Sequence, residues 1–401
     1  MSATAVNRPA DPVRKPYSPR EAVERLRRGD LGAWPVVGGL IAIAIVFGSL
    51  NEHFLSPENL TNLALQMAAT GTISLGIIMV LLLGEIDLAA GSVSGLCAVV
   101  MTILNVRHGW NPLLSVLVAV AAGAAIGLLH GLLFTRVRMP SFVVTLAGLI
   151  GWQGLLLYLL GQGGTINLPF DGFVAKLSDT WLPPWLAWAI VVLLVAAYGG
   201  SLLLGRTLRL AADLPVTPLY WPVVKTAGLA IVLAGAVAVL QADRGVPLLL
   251  VVFGTLVVVF DLVLRHTAFG RWMYAVGGNA EAARRAGIGV TRIRVLAFVL
   301  SSSLAAFGGI LAASRLSAVN QSSGGSDMLL MAIAAAVIGG TSLFGGRGRT
   351  YAALLGILVI QSITNGMLLL NVDSSVRFMV TAAVLALAVA IDSLARRGSA
   401  S

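Results

Sequence analysis

Two acids, Glu85 and Asp87, stand in the stretch LLLGEIDLAAGSVSG (81–95), between apolar runs long enough to lie in a membrane. Carboxylates at that depth are costly, so the pair first suggests proton or ion coupling. The neighbouring residues point elsewhere. Gly84 weakens a helix, Asp87 can accept backbone N–H bonds at the start of the next one, and Gly91 with Ser92 permits close packing after the restart. The stretch reads as a break between two spans, with capping for Asp87 and an inter-subunit or gating contact for Glu85 as the favoured roles. Polar side chains also recur four residues apart at Asn62, Gln66 and Thr70, and again at Gln361 and Asn365, which places each set on one helix face. Such faces suit hydrogen bonding to a polar solute and equally to a neighbouring helix.

A third stretch, GGNAEAARRAGIGVTRIR (277–294), brackets EAARRA with glycines. Ala, Glu and Arg are strong helix formers, so this predicts a short surface helix that stops at Gly287 and Gly289. Its apolar residues Ala282, Ala283, Ala286 and Ile288 could fit a cleft on another protein, while Arg284 and Arg285 face acids or lipid headgroups. A basic loop that only sets topology is the competing reading. The segment GGTSLFGGRGRT (339–350) has Gly340 and Gly345 at phosphate-loop spacing, but Gly346 and Arg347 stand where Lys and Ser/Thr are needed. A tight turn between spans fits better, and no nucleotide site is expected in the chain.

The elements that position these residues follow from composition. Of 401 residues, 58% are hydrophobic and 11% charged, whereas an ordinary soluble domain carries about 25% charge. The apolar runs are continuous rather than alternating, which excludes a transmembrane barrel and predicts an all-α polytopic membrane protein. Twelve runs are expected, at about 34–50, 60–83, 87–105, 113–134, 141–160, 185–205, 223–241, 246–264, 293–313, 328–343, 351–370 and 377–394, with 10 to 12 spans compatible with the pattern. With twelve spans and both termini cytoplasmic, 22 of the 27 Lys and Arg fall on the cytoplasmic side, as the positive-inside rule requires. The formal charge of +10 therefore reports topology and not a nucleic-acid partner. Three parts result: a basic cytoplasmic tail at 1–30, one transmembrane domain at 31–396, and a short tail at 397–401. The lone Cys97 and four scattered histidines offer no metal-ligand spacing, and no metal is expected.

Three of these stretches together resemble the permeases of bacterial sugar ABC importers of the ribose/xylose/galactose type. GGNAEAARRAGI resembles their cytoplasmic coupling segment, GEIDLAAGSVSG their GGIDLSVGS signature, and MAIAAAVIGGTSLFGGRGRTYAALLGILVIQSITNGMLLLNVD (331–373) a third run, all in the family's order. The length, the Arg-containing loop at 206–222 and the extra span pair at 223–264 are most similar to xylose-type permeases. Departures occur at Glu85, at Ala89, and at Met328 to Met331, where the family carries an acid.

The resemblance implies a multi-pass protein of the prokaryotic cytoplasmic membrane that carries a monosaccharide, a pentose such as xylose. It implies separate ABC ATPase subunits that bind ATP and Mg, an extracytoplasmic sugar-binding protein and a second copy of the chain, with no cofactor on the chain and no enzymatic activity. The coupling residues would be Gly278, Asn279, Glu281, Ala282, Ala283, Gly287 and Ile288 within 277–290. The break or gate would comprise Gly84, Glu85, Asp87, Gly91 and Ser92, and the translocation pathway Asn62, Gln66, Thr70, Gln361 and Asn365. Membrane lipid surrounds it. An ion-coupled secondary transporter or channel for a small polar solute is the alternative, though it would not need the 277–290 element.

Overall fold

The structure, a computed structural model, describes residues 34–397; the tail at 1–30 and residues 398–401 lie outside the described residues. The first half runs through α1 (Trp34–Leu50), α2 (Pro57–Leu81), α3 (Ala90–Thr102), α4 (Pro112–Thr135) and α5 (Ser141–Leu160), then β1 (Thr165–Asn167), α6 (Phe173–Asp179), β2 (Trp181–Leu182) and α7 (Pro184–Ala211). Then come α8 (Tyr220–Gln241), β3 (Val246–Pro247), α9 (Leu248–His266), α10 (Ala268–Gly278), α11 (Ala280–Arg285), α12 (Val290–Leu316), β4 (Ala318–Asn320), α13 (Ser326–Ile338), α14 (Tyr351–Leu369) and α15 (Ser374–Arg397). Caps fix several starts: Ser56 accepts the N–H of Asn59 ahead of α2, and Asn111 those of Leu113 and Leu114 ahead of α4, each followed by a proline in the first turn.

Nine helices among the described residues are long and apolar enough to cross a membrane. Shorter apolar helices at Val36–Leu50, Ser326–Ile338 and Ser374–Leu387 occupy the remaining three expected positions. The expected span at 328–343 is the clearest difference. Its helix, α13, has 13 residues, about 20 Å of rise against a hydrocarbon thickness of about 30 Å. β4 and the turn at 321–325 precede it.

α2, α3 and α12 form the centre, with α4 and α14 against them. Small residues make the close approaches. Gly123, Gly127 and Gly131 recur every four residues on α4, and a Cβ at Gly123 would fall 2.8 Å from the Ser302 carbonyl oxygen of α12. This is how membrane helices pack when lipid is as apolar as leucine and van der Waals fit decides.

The connections sort into two rims. On one, β1 pairs with β4 and β2 with β3, both antiparallel, and Arg107 donates to the carbonyls of Leu159 and Leu160. The stretch at 161–184 is thus ordered by strand pairing with distant segments. The other rim gathers 82–89, 267–289 and 339–350.

Candidate functional site

The second rim brings together the three stretches singled out in the sequence. Gly345, with φ +80°, turns so close to the helix break that a Cβ would lie 2.7 Å from the Gly84 nitrogen and 2.9 Å from the Gly277 carbonyl oxygen. The Gly346 N–H donates to the Leu82 carbonyl at 2.9 Å. A Cβ at Gly277 would overlap that same Leu82 oxygen, so the backbones of 82–84, 277–278 and 345–346 interlock with no room for side chains. Tyr274 of α10 adds a tie by donating to the Gly348 carbonyl at 2.9 Å. Burial, and after it the Asp261 carboxylate, push the Tyr274 phenol above its ordinary pKa and keep it a donor.

The acids of the break are engaged within the chain. Glu85 accepts from the Ser141 hydroxyl at 2.7 Å and lies 3.2 Å from Arg294 of α12. Arg294 also rests over the Phe134 ring at 4.9 Å. Asp87 is 1% exposed; one of its oxygens accepts the Ala89 N–H at 3.0 Å, and the other accepts from the Ser301 hydroxyl at 2.9 Å. Ala89 itself occupies the cap position of α3, so Asp87 closes the turn leading into the helix. Ser92 donates back to the Ala89 carbonyl, and Gly91 abuts the Gly324 carbonyl at the entrance to α13.

Sequence reasoning misses Arg294 and Ser301 as partners of the acids, because by sequence Arg294 is one more basic residue of a loop whose charge sets topology. It also left His130 aside, which is buried on α4 and accepts from the Trp152 indole at 3.0 Å.

The 277–290 segment forms α11, capped by Asn279 accepting the Ala282 N–H at 2.9 Å. One expectation needs correction. Ala283, expected to face a partner, is 4% exposed and packs into the core of its own chain. The six-residue helix turns Ala283 inward, leaving Gly278, Asn279, Glu281, Ala282, Ala286 and Gly287 outward, with Ile288 half-buried. Arg284 and Arg285 both pair with Glu281, at 2.8 Å and 3.4 Å.

The polar residues of α2 and α14 do not gather into one cluster. Gln361 donates to Gln66 at 2.6 Å, Asn365 and Asn59 bond reciprocally at 2.8 and 2.9 Å, Asn62 accepts from Arg244 at 2.8 Å, and Thr70 is buried on α2. A separate cavity of about 200 Å³ lies toward the other rim, where Gly95, Ala98 and Gly309 face Asn320, Asp327 and Met328. No group of three or more His, Cys, Asp or Glu able to hold a metal occurs among the described residues.

Apolar spans packed on buried polar ties, with three loops interlocked at one rim, define a multi-pass membrane protein. The chain belongs to the family described as branched-chain amino acid transport system / permease component, whose pattern matches residues 59–389. It is 35% identical to "Xylose transport system permease protein XylH" of Escherichia coli over 375 residues, covering 93% of this chain and 95% of that protein. The XylH of Haemophilus influenzae is 34% identical over 360 residues, 88% of this chain and 94% of that protein. "Ribose import permease protein RbsC" of Bacillus subtilis is 32% identical over 355 residues, 88% of this chain and 90% of that protein. No solved structure matches the chain.

Proposed function

We propose that the chain is the permease subunit of an ATP-binding cassette importer that moves a monosaccharide, xylose or a related pentose, across the prokaryotic cytoplasmic membrane. The observation that carries this reading is the interlocked rim. An outward-facing α11 leads through Gly277 into the same backbone junction that holds the break between the two central helices. A push on α11 therefore moves α10, the 339–350 turn and the break together as a rigid body. The rim faces the cytoplasm by the positive-inside rule, and separate ATPase subunits dock on it and bind ATP and Mg.

Ala282, Ala286 and Gly287 present the docking face, Ala283 anchors α11 to the bundle, and the Glu85–Arg294 pair ties the break to α12. An extracytoplasmic binding protein delivers sugar at the other rim, where Asn320 and Asp327 offer hydrogen-bond partners to hydroxyls. The polar contacts between α2 and α14, made by Gln66 with Gln361 and by Asn59 with Asn365, hold the closed pathway; Asn62 and Thr70 continue its wall. A second copy of the chain completes the pathway. The ion-coupled alternative loses its main support, because both acids of the break already have donors from their own chain.

Reconstitution tests the reading. With partner ATPase and binding protein, sugar uptake into liposomes requires ATP on the ATPase side; uptake by the chain alone, driven by a proton or sodium gradient, overturns it. Ala286→Arg, on the exposed face of α11, leaves the melting temperature within about 2 °C, the shift expected when less than about 0.5 kcal/mol is lost at a surface site, while ATPase binding and uptake fall together.

A further inference from the structure

A cavity of about 340 Å³ opens between α7, α8 and the connection at 212–219, and none of the rim residues described above lines it. Three cations do: Arg206 and Arg209 from α7 and Lys225 from α8. No ion pair joins any of the three to a carboxylate among the described residues, Asp213 of the same connection included. The Arg206 Nε donates to the Thr217 carbonyl at 3.2 Å, which fixes that guanidinium at the mouth and leaves its terminal nitrogens for a ligand. Leu202, Val216, Trp221 and Pro222 supply the apolar part of its lining, and further apolar side chains of the same two helices face outward beside it, with Leu204 at 61%, Leu208 at 63% and Val224 at 56% exposure.

The position of the cavity follows from the strand pairs. β2, which leads into α7, pairs with β3, which leads into α9, so both helices start at one rim and run to the other. α9 ends at His266 beside the coupling segment; the far end of α7 and the start of α8 therefore lie on that same side.

We propose that this cavity holds the headgroup of an anionic phospholipid from the cytoplasmic leaflet, with the phosphate between Arg206, Arg209 and Lys225 and the acyl chains along α7 and α8. Unneutralised cations select negative charge, and the guanidinium fork matches phosphate oxygens. The apolar walls select a ligand with hydrocarbon chains over a soluble anion. Basic pockets between helices on the cytoplasmic side meet this requirement where that leaflet carries negative lipid. The inference needs only that the chain spans a membrane and is independent of which solute it carries.

The test is native mass spectrometry of the delipidated full-length protein titrated with phosphatidylglycerol, phosphatidylcholine or inorganic phosphate. The wild type is expected to prefer phosphatidylglycerol over phosphatidylcholine about tenfold or more. Removing all three charges in Arg206→Gln/Arg209→Gln/Lys225→Gln lowers that affinity on the order of a hundredfold, at roughly fivefold per cation. Arg206→Lys/Arg209→Lys, which keeps the charge, retains most of it. Equal binding of the two lipids by the wild type, or an unchanged preference in the triple variant, overturns the proposal. Displacement of the lipid by millimolar inorganic phosphate also overturns it and assigns the cavity to a soluble anion. Should the triple variant melt early in lipid-free detergent, Lys225→Gln alone carries the test, and a preference unchanged there is equally fatal.

Discussion

α2 and the pair α7–α8 are all apolar spans, yet 94% of the apolar stretch of α2 is buried inside the protein against 11% for α7 and for α8. The buried helix is the one richer in Asn and Thr, and the exposed pair is rich in Leu, Val and Trp. A soluble protein would reverse this. In lipid there is nothing to gain by hiding leucine from the solvent, so the interior is assigned to residues that allow backbones to touch and polar groups to pair. The proposed moving junction belongs to the first region, and the proposed lipid site to the second.

The sharpest way to break this contrast is to add the same side chain to a glycine in each region. Valine at Gly277 puts its Cβ into the Leu82 carbonyl, and neither that oxygen nor the Gly346 nitrogen, 2.8 Å away, belongs to a side chain that can swing aside. We expect Gly277→Val to cost about 3 kcal/mol or more and to abolish the monodisperse protein peak in size exclusion. Gly228→Val on α8, where no atom lies within 4 Å of the added carbon, should leave that peak intact. Similar behaviour of the two variants would remove the distinction between the regions.

Next in size is Asp87→Ala. It leaves the Ala89 N–H and the Ser301 hydroxyl without their acceptor at a site 1% exposed, and an unsatisfied buried polar group costs about 1 to 3 kcal/mol. A drop in melting temperature with uptake selectivity unchanged in the surviving protein is expected. Full stability with altered sugar preference would instead make Asp87 part of the pathway. A double-mutant cycle of Glu85→Gln and Arg294→Gln should return a coupling of about 1 kcal/mol, since the two side chains are only 15% and 26% exposed. A coupling near zero would show that Ser141 alone holds Glu85.

How much of this could be read beforehand depends on whether the information was local. The break was legible, because Gly84 and Asp87 have backbone preferences that act within a few residues. So was a short helix at EAARRA, from propensity and flanking glycines. The facing of that helix was not, since six residues make too few turns for a periodic pattern to choose between Ala282 and Ala283. Arg294 stands 209 positions from Glu85, and nothing in its neighbours separates a pairing arginine from one that sets topology. At Gly345 the sequence predicts a tight turn and no more; the approach to Gly84, 261 positions away, leaves no local signal. The expected span at 328–343 came out short for a related reason. An Ala-rich run reads as hydrophobic length, while the helix is bounded by Gly325, which follows Gly324 packed on the α3 backbone, and by Gly339, packed on the Ala352 carbonyl.

The smallest expected effect is also the one that best separates stability from use. Arg284 pairs with Glu281 at 2.8 Å, but the two side chains are 63% and 57% exposed, and pairs of this kind contribute about 0.2 to 0.5 kcal/mol on a helix surface. Arg284→Ala should therefore leave the melting curve of the isolated permease almost unchanged. If α11 serves only to hold the rim, transport follows stability and is also unchanged. If it is the docking face, Glu281 keeps only Arg285, at 3.4 Å, and the local charge turns more negative, so ATPase affinity changes while the melting curve does not. A parallel change in both would place α11 with α2, among the residues that hold the bundle, and not at the surface where a partner pushes.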